Sequence, residues 1–393
     1  MQQTVAVIGL GYVGLPLAVR AVERGYAVVG FDTHQEKIAR INRQECPIED
    51  ASLEALLKRF PFEATDRPGR LNEADIVLIC VPTPVDEMYY PDLEPVISAA
   101  TLSATHLKPG ALVVLESTVN PGVSEEVIMP LFEKHGHRIG KDVFLAHCPE
   151  RINPGDEKWN VTNIPRVVGS VDAPGLEKAL EFYRSIVDGE IRPMKSIREA
   201  EAVKVVENSF RDINIAFVNE LARSFDVLGI DVKDVIQGAA TKPFSFMPHY
   251  PSCGVGGHCI PVDPYYLIER AKKSGFDHRF LKIAREINNA MPAYSVYPEF
   301  ACTVADEGEV MSFAKTGGSQ RPVGLIFPGD DRRQIFLGTM MLGDETRPMD
   351  YGRDALRDMA GAVERIGTNR WRLILPYPNF ESVMDVIELV PQA

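Results

Sequence analysis

The stretch Val-Ala-Val-Ile-Gly-Leu-Gly-Tyr-Val-Gly, residues 5–14, decides the fold of the N-terminal part of this chain. Its first half is a short apolar run, which predicts a buried strand, and residues 13–24 then carry apolar side chains at helical spacing. The glycines between them allow a tight turn, let a pyrophosphate approach the backbone and let the helix pack closely on the strand. The stretch therefore predicts a strand–turn–helix unit that binds a dinucleotide, and the alternative is a glycine-rich turn without a ligand.

Asp32 indicates which dinucleotide would bind. It ends a second apolar run, residues 27–32, about 20 residues after the glycine turn. A carboxylate there accepts hydrogen bonds from ribose hydroxyls and repels a 2′-phosphate, so it favours NAD over NADP. Free N–H groups at the start of the predicted helix would hold the phosphates. We expect NAD to be bound by Gly9, Gly11, Tyr12, Val13, Gly14, Asp32, Thr83 and Thr118.

Further apolar runs alternate with helical patterns along the N-terminal part of the chain. They lie at residues 76–81, 112–117, 143–147 and 166–169. Short, nearly all-apolar strands that alternate with helices are typical of a doubly wound parallel sheet with helices on both faces, the Rossmann fold. We therefore expect an α/β protein whose N-terminal domain is such a sheet.

The pattern changes to all-helical in the middle of the chain. A stretch with almost no helix breakers, Glu199 to Leu228, predicts one long helix. Residues 265–289 form a further helical region. Because so long a helix often lies between domains or at a subunit interface, we expect a central helical domain and a homodimer through the long helix.

The C-terminal part has weaker patterns. Residues 321–327, 334–342 and 371–375 predict strands, and residues 351–366 predict an amphipathic helix, which together make a small α/β segment without an assigned function. The predicted domains are 1–197 for NAD binding, 198–292 for the central helical and catalytic domain, 293–320 for a linker and 321–393 for the unassigned segment.

Composition excludes several classes of protein. The chain of 393 residues carries a net charge of −13, which argues against nucleic acid as a partner. It shows no apolar run near the roughly 20 residues of a membrane helix, and the first strand begins too early for a signal peptide. The six cysteines include no Cys-x-x-Cys pair, so we expect neither a metal site nor a disulfide framework. We expect a cytoplasmic location.

A glycine-rich loop, residues 254–263, carries the candidate nucleophile Cys259. Glycines leave room for a substrate near the backbone, and Asp263 supplies a carboxylate four residues later. Without this context Cys259 would more often be a buried structural thiol, whereas the loop and Asp263 favour a nucleophile. Cys253 has no such context and is expected to be structural, and His258 is expected to be a hydrogen-bonding spacer rather than a base.

Polar residues that follow the predicted strands leave two interpretations open. Thr83, Ser117 and Thr118 either contact cofactor or substrate or cap the next helices. Glu150 is either a base or the ionic partner of Arg151.

Lys204 and Asn208 lie four residues apart on the predicted long helix and therefore on one of its faces. The neighbours of Lys204 are mostly apolar, so its ammonium either points into a site as an oxyanion stabiliser or is solvated at the edge of the helix.

Six motifs carry a family resemblance. They are Gly-Leu-Gly-Tyr-Val-Gly-Leu-Pro at 9–16, Cys-Val-Pro-Thr-Pro at 80–84, Glu-Ser-Thr-Val-Asn-Pro-Gly at 116–122, Pro-Glu-Arg-Ile-Asn-Pro-Gly-Asp at 149–156, the Lys204–Asn208 pair and Gly-Gly-His-Cys-Ile-Pro-Val-Asp at 256–263. In this order they resemble the UDP-glucose/GDP-mannose dehydrogenase family, the nucleotide-sugar 6-dehydrogenases, from residue 1 to about residue 292.

The resemblance implies an oxidation of C6 of a nucleotide-linked sugar from alcohol to carboxylate, with reduction of two NAD. Cys259 would attack the aldehyde to give a thiohemiacetal, and a thioester would remain after hydride transfer. Lys204 would stabilise the alkoxide and later oxyanions, and Asn208 would help to hold that oxygen. Asp263 would orient or deprotonate water.

The resemblance also implies roles in hydrolysis and substrate binding. Thr118 would hold a water, and Glu150 would serve as acid–base in hydrolysis of the thioester. The motif that begins at Glu150 looks like the branch that acts on UDP-N-acetylhexosamines, such as UDP-N-acetylglucosamine, so a UDP-sugar is the expected partner. The substrate would be contacted by Glu150, Arg151, Lys204, Asn208, Phe244, Gly256 and Gly257.

The chain departs from the family pattern after Pro292. Family members carry a third domain there, a second Rossmann-like unit that binds much of the nucleotide, and its opening strand and glycine turn are not recognisable in this sequence. This leaves the alternative of an NAD-binding, catalytically impaired scaffold protein. A β-hydroxyacid dehydrogenase shares the first domain and the long helix but needs no cysteine, so Cys259 counts against it.

Overall fold

The computed structural model describes residues 2–48, 50–86, 90–152, 158–257 and 259–296, and seven short strands between residues 300 and 389. It divides into two compact units, Met1–Asn288 and Asn289–Ala393. Within the described residues, no helix has the length and apolar character needed to cross a membrane.

An eight-stranded sheet forms the core of the first unit, with strand order β3-β2-β1-β4-β5-β6-β7-β8. The strands are β1 Thr4–Ile8, β2 Ala27–Phe31, β3 Glu63–Thr65, β4 Ile76–Ile79, β5 Ala111–Leu115, β6 Val143–His147, β7 Arg166–Ser170 and β8 Ile191–Pro193. The predicted doubly wound sheet is confirmed, with one correction: β7 runs antiparallel to β6, whereas the other neighbours are parallel. The described part of the connection between β6 and β7 contains no helix, and a parallel pair would need such a crossover.

Helices cover both faces of this sheet because its strands are apolar on both faces. Val5 and Val7 of β1 belong to one buried cluster, and Ala6 and Ile8 belong to the other. The surrounding helices are α1 Gly14–Glu23, α2 Gln35–Asn42, α3 Ala51–Arg59, α4 Glu94–His106, α5 Met129–Lys134 and α6 Ala173–Ile186.

The long central helix is confirmed as α7, Ile197–Leu228. It begins where the Ser196 side chain accepts a hydrogen bond from the Glu199 N–H, an N-cap that satisfies a free donor. The helices α8 Val232–Ala240, α9 Asp263–Lys273 and α10 Arg279–Val296 follow. The helical region predicted at 265–289 is therefore two helices, and the chain breaks between them at Gly275, whose φ of +87° favours glycine.

The second unit contains two antiparallel sheets. Their strands are β9 Phe300–Thr303, β10 Met311–Lys315, β11 Val323–Leu325, β12 Gln334–Ile335, β13 Gly361–Gly367, β14 Arg370–Ile374 and β15 Ile387–Leu389. The orders are β11-β10-β9 and β12-β13-β14-β15.

Two expectations about this unit need correction. The helix predicted at 351–366 is wrong for residues 361–366, which form a strand paired with β14, while residues 351–360 lie outside the described residues. A short stretch with Val and Ile suits either element, and pairing with a neighbouring strand decides between them. The segment 293–320, expected to be a linker, contains the end of α10 and the strands β9 and β10. The domain boundaries themselves stay a prediction.

Candidate active site

The turn between β1 and α1 has the shape that a dinucleotide phosphate needs. The Gly9 N–H donates to the Phe31 carbonyl at 2.8 Å, and a Cβ at Gly9 would lie 2.6 Å from the Cys80 carbonyl oxygen. A Cβ at Gly11, by contrast, would meet no atom within 4 Å, so this side of the turn is open. Among the described residues, no side chain caps the N-terminus of α1, which leaves its N–H groups for an anion.

Two other residues expected at the cofactor lie in the same turn. Tyr12 is 65% exposed and Val13 is half-buried.

Asp32 lies at the end of β2 beside this turn and is nearly buried. Its carboxylate accepts hydrogen bonds from the Leu10 N–H at 2.9 Å, the His34 N–H at 3.0 Å and the Lys37 ammonium at 2.7 Å. Burial raises the pKa of Asp32, but the Lys37 hydrogen bond and the two N–H groups outweigh it, so the pKa lies below its usual value. The ionised carboxylate can accept hydrogen bonds from ribose hydroxyls.

Four of the predicted catalytic residues come together where α7 meets α9. Asp263 is the first residue of α9, and its N–H donates to the Cys259 carbonyl at 2.8 Å. The Asn208 amide of α7 donates to Asp263 Oδ2 at 2.6 Å, and both side chains are buried. Lys204, one turn earlier on α7, is half-buried, and its charge acts on both Asp263 and Cys259.

Burial shifts the pKa values of two members of this group, Asp263 and Cys259, upward. Burial raises the pKa of Asp263 to about 6, against the lowering effects of the Asn208 hydrogen bond and the Lys204 charge. Desolvation also raises the pKa of the Cys259 thiol, Asp263 raises it further, and Lys204 and Arg211 oppose them. The thiol is therefore protonated at neutral pH and must lose its proton when it attacks.

The segment between α8 and α9 carries the remaining residues expected at the substrate. Phe244 is 64% exposed, and Gly256 and Gly257 are also exposed. Cys253, expected to be structural, is exposed rather than packed in the core. His258 lies outside the described residues.

The residues that follow β4 and β5 have mixed roles. The Thr83 carbonyl accepts a hydrogen bond from the Tyr266 hydroxyl of α9 at 2.6 Å. Ser117 neither caps a helix nor points to solvent, because its hydroxyl donates to the Val81 carbonyl at 2.7 Å. Thr118 is half-buried at the end of β5.

Carboxylates that the sequence analysis did not single out join the loop after Thr118 to the helices. Glu201 of α7 is fully buried and accepts the N–H groups of Gly122 and Ser124 at 2.6 and 2.8 Å. Glu126 forms a bidentate pair with Arg270 of α9, with distances of 2.8 and 2.6 Å. The sequence does not distinguish a charged helix residue that makes such a contact from one that is exposed to solvent.

Glu150 pairs with a residue that the sequence analysis also missed. Its ionic partner is Arg166 at 2.6 Å, not Arg151, although the Arg151 N–H donates to it. The Arg151 guanidinium instead pairs with Glu207, next to Asn208 on α7, with an Nε–Oε2 distance of 3.2 Å. The sequence did not indicate that Arg166 is a buried ionic partner, because a charged residue at the start of an apolar strand is ordinarily exposed.

Comparison with known proteins assigns this chain to a family. Residues 3–187 match the NAD binding domain of the UDP-glucose/GDP-mannose dehydrogenase family, and residues 198–290 match its central domain. The chain belongs to this family. It is thus an NAD-dependent oxidoreductase with a Rossmann domain, as the sequence predicted. Residues 269–389 match a domain of unknown function, DUF4893.

Three relatives of this dehydrogenase are named for UDP-N-acetylhexosamines. UDP-N-acetyl-D-glucosamine 6-dehydrogenase of Pseudomonas aeruginosa is 42% identical over 297 residues, which cover 74% of this chain and 69% of the relative. Among solved structures, UDP-D-ManNAc dehydrogenase of Pyrococcus horikoshii matches with a TM-score of 0.71 and 38% identity, over 75% of this chain and 70% of that one. The UDP-N-acetyl-mannosamine dehydrogenase Cap5O of Staphylococcus aureus matches with a TM-score of 0.66 and 35% identity, over 75% and 69%.

These relatives favour an enzyme over the scaffold alternative. In the described part of the chain, no group of three or more His, Cys, Asp or Glu side chains is arranged to hold a metal ion.

Proposed function

We propose that this protein oxidises the C6 alcohol of a UDP-N-acetylhexosamine to the carboxylate, with transfer of four electrons to two NAD. The observation that carries the proposal is the placement of Cys259 in the turn that leads into Asp263, whose carboxylate is bound by Asn208 of α7. The names of the relatives support the substrate class. When bound, NAD supplies the acceptor for each hydride.

Covalent catalysis divides the second oxidation into easier steps. The Cys259 sulfur bonds to C6 of the aldehyde, the thiol proton passes to the aldehyde oxygen, and a thiohemiacetal forms. Loss of a hydride from C6 to the second NAD and of the hydroxyl proton leaves a thioester. Water then cleaves the carbon–sulfur bond to give the carboxylate and the free thiol. The loop glycines Gly256 and Gly257 let the sugar approach the sulfur, and the exposed Phe244 ring contacts the sugar.

Lys204 and Asn208 act on the oxygen that becomes charged. The Lys204 ammonium stabilises the alkoxide of the first oxidation and the oxyanions that follow, and Asn208 orients that oxygen together with Asp263. A carboxyl group whose pKa is about 6 can exchange a proton near neutral pH, which suits Asp263 to accept a proton from thiol or water.

Hydrolysis of the thioester uses two further residues. Thr118 holds the water, and Glu150 accepts its proton. Arg151, whose guanidinium pairs with Glu207 of α7, binds the substrate.

Cofactor binding follows from the glycine turn. The open side of Gly11 and the N–H groups at Gly14 would hold the pyrophosphate, and Asp32 would accept hydrogen bonds from the ribose hydroxyls. Tyr12, Val13, Thr83 and Thr118 complete the surroundings of the cofactor.

Homodimerisation through α7 is the second part of the proposal. Val206, Phe210 and Phe217 are exposed by 54%, 48% and 54% and lie on one face of α7, since they are four and eleven residues apart. A stripe of exposed large apolar side chains on a long helix favours a second copy of that helix as its cover.

One assay tests the reaction. The full chain is incubated with NAD and a panel of UDP-N-acetylhexosamines, UDP-glucose and GDP-mannose, and NADH is followed by absorbance. We expect two NADH per UDP-N-acetylhexosamine and no turnover by Cys259→Ala, which should still bind NAD. Measurable NAD binding without turnover of any nucleotide sugar would refute the proposal.

A further inference from the structure

A chain of buried amides joins α7 and α10 to the loop that carries Cys259. Asn288 of α10 donates to Asp212 of α7, to the carboxylate Oδ1 at 2.8 Å and to the backbone carbonyl at 3.0 Å. Asn219 of α7 donates to Asn288 Oδ1 at 2.9 Å. The Asn219 Oδ1 in turn accepts the Ser252 N–H at 2.8 Å. The chain of hydrogen bonds thus runs from two helices into the loop.

The direction of every hydrogen bond in this chain is fixed by the groups at its ends. The Arg285 guanidinium can only donate, and it donates to Asp212 Oδ1 at 2.6 Å, so this oxygen is an acceptor. Asn288 must therefore present its NH₂ group to Asp212 and its oxygen to Asn219. Asn219 must then present its NH₂ group to Asn288 and its oxygen to the loop. The Ser252 backbone N–H is a donor, which is the group that this oxygen requires.

The amides belong to the interior of the protein, whereas the loop segment that they hold is at the surface. Asn219 and Asn288 are 0% and 1% exposed. Ser252 is exposed. Buried amides that are paired at both oxygen and nitrogen keep one arrangement, because any other would leave a buried polar group unpaired. Asn219 therefore offers the exposed loop a fixed point of attachment.

The same helix holds the other end of the loop. Asn208 lies eleven residues before Asn219 on α7, and it donates to Asp263 at 2.6 Å. Eleven residues make about three helical turns, so the two asparagines lie on one face of α7, about 16 Å apart along its axis. Cys259 lies in sequence between the two attached residues, Ser252 and Asp263, in a segment rich in glycine. Because glycine adds backbone freedom, the position of the sulfur depends on both ends being held.

We propose that Asn219 is a positioning residue for the second oxidation, which holds the start of the loop so that the Cys259 sulfur meets the aldehyde before the aldehyde leaves. This inference rests on the proposed function, in which the second oxidation begins with the bond between this sulfur and C6. Asn288 acts through Asn219, whose amide it orients. A loop held only at Asp263 would bring the sulfur within reach of C6 less often, and more of the aldehyde would leave the site.

The test measures free aldehyde formed per NADH by the full chain. Asn219→Ala and Asn288→Ala are incubated with NAD and the UDP-N-acetylhexosamine that the unsubstituted protein turns over fastest, and released aldehyde is trapped with a hydrazine and measured by mass spectrometry. We expect the second oxidation to slow about 10- to 100-fold in Asn219→Ala, so that NADH per sugar falls from two towards one. The Kd for NAD should stay unchanged. Asn288→Ala should show the same change to a smaller extent, because Asn219 keeps its oxygen beside Ser252.

Asn42→Ala is the control. The Asn42 amide donates to the Ala64 carbonyl and accepts the Ala64 N–H, both at 2.9 Å, so the substitution also removes two hydrogen bonds, here between α2 and β3. We expect no added aldehyde from this variant. As much added aldehyde as from Asn219→Ala would overturn the inference, because the effect would then come from a general loss of structure. If Asn219→Ala does not fold, Asn288→Ala carries the test, and an unchanged aldehyde yield from it would be equally decisive against the inference.

Hydrogen exchange measures the attachment of the loop without turnover. We expect residues 250–257 to exchange about fivefold faster in Asn219→Ala, since the Ser252 N–H loses its acceptor, while exchange in Asn42→Ala should match the unsubstituted protein there. Unchanged exchange of this segment, or unchanged release of aldehyde, overturns the inference. If the unsubstituted protein turns over no nucleotide sugar, the proposed function fails instead. Exchange alone then tests whether Asn219 holds the loop, so the two failures are distinct.

Discussion

The Asn208 amide donates to the Asp263 carboxylate across 2.6 Å, and this bond joins the middle of α7 to the first turn of α9. Asp263 is 4% exposed, and burial raises its pKa from 3.8 to about 6. The native state therefore binds the Asp263 proton more tightly than the unfolded chain does. Its contribution to stability is present below about pH 4 and is lost as the pH rises through about 6.

Asp263→Asn should consequently stabilise the protein while it abolishes turnover. The uncharged side chain avoids the cost of ionisation, which is worth at most about 3 kcal/mol for a shift of this size. We expect the free energy of unfolding in urea to rise by about 2–3 kcal/mol at pH 8 and to change little at about pH 4. An equal effect at both pH values would contradict this account, since it would not come from the titration of Asp263.

Asp32→Ala should change the preference between cofactors. The substitution removes the acceptor for the ribose hydroxyls. It also releases Lys37, which pairs with Asp32 at 2.7 Å in the unsubstituted protein. We expect the Kd for NAD to rise about 10- to 100-fold, because hydrogen bonds to charged groups are worth about 1.5–3 kcal/mol. NADP should gain affinity, since Lys37 can face its 2′-phosphate.

The double variant Asp32→Ala, Lys37→Met is the control for this effect. This variant should bind NAD as weakly as Asp32→Ala does, but it should not show the increased affinity for NADP. Both affinities are measured by fluorescence titration. Unchanged NAD binding by Asp32→Ala would show that Asp32 does not bind the cofactor and instead stabilises the turn by accepting the Leu10 N–H.

Local pattern predicted the parts of this protein that depend on local physics. The strand that precedes Gly9, the long helix α7 and the placement of Lys204 and Asn208 on one helix face follow from spacing along the chain. The pairing of Arg166 with Glu150 does not, because it joins the start of β7 to the residues after β6 across a sheet whose local direction was predicted wrongly. Contacts between distant residues depend on the assembled fold.

Two glycines of the dinucleotide turn should respond differently to alanine. A Cβ at Gly14 would lie 1.9 Å from the Gly9 carbonyl oxygen, whereas a Cβ at Gly11 would meet no atom within 4 Å. Gly14→Ala should therefore destabilise the protein by about 1–3 kcal/mol, as overpacking does. Gly11→Ala should leave stability unchanged and weaken the binding of NAD, because the added methyl group would occupy the space needed for the pyrophosphate. Thermal unfolding and NAD titration of both variants separate the effects, and equal loss of stability in both would contradict the geometry.

Phe217→Glu should weaken the proposed dimer. The Phe217 ring is 54% exposed on the apolar face of α7, and a charge buried between two copies of this helix would be costly. Sedimentation velocity should show a shift towards monomer at micromolar concentration. Phe276→Glu, at a ring that is 59% exposed between α9 and α10, is the matched control and should sediment as the unsubstituted protein does. If the unsubstituted protein sediments as a monomer, the proposal of a dimer is refuted.

Glu201→Ala should loosen the loop that follows Thr118. The Glu201 carboxylate is fully buried and accepts the N–H groups of Gly122 and Ser124, so its removal leaves two donors without a partner. Unsatisfied buried donors cost about 1–3 kcal/mol each, and we expect a loss of about 2–4 kcal/mol in the free energy of unfolding.

The matched control is Glu125→Ala, which removes a neighbouring carboxylate from an exposed pair with Arg198. Surface pairs contribute little, so its stability should be nearly unchanged. Because Thr118 precedes the loop that Glu201 holds, Glu201→Ala should also lower kcat, whereas the Kd for NAD should change less than kcat does. Equal loss of stability in the two variants would mean that the N–H groups of Gly122 and Ser124 find other acceptors, and Glu201 would then have no special part in holding α7 against the loop.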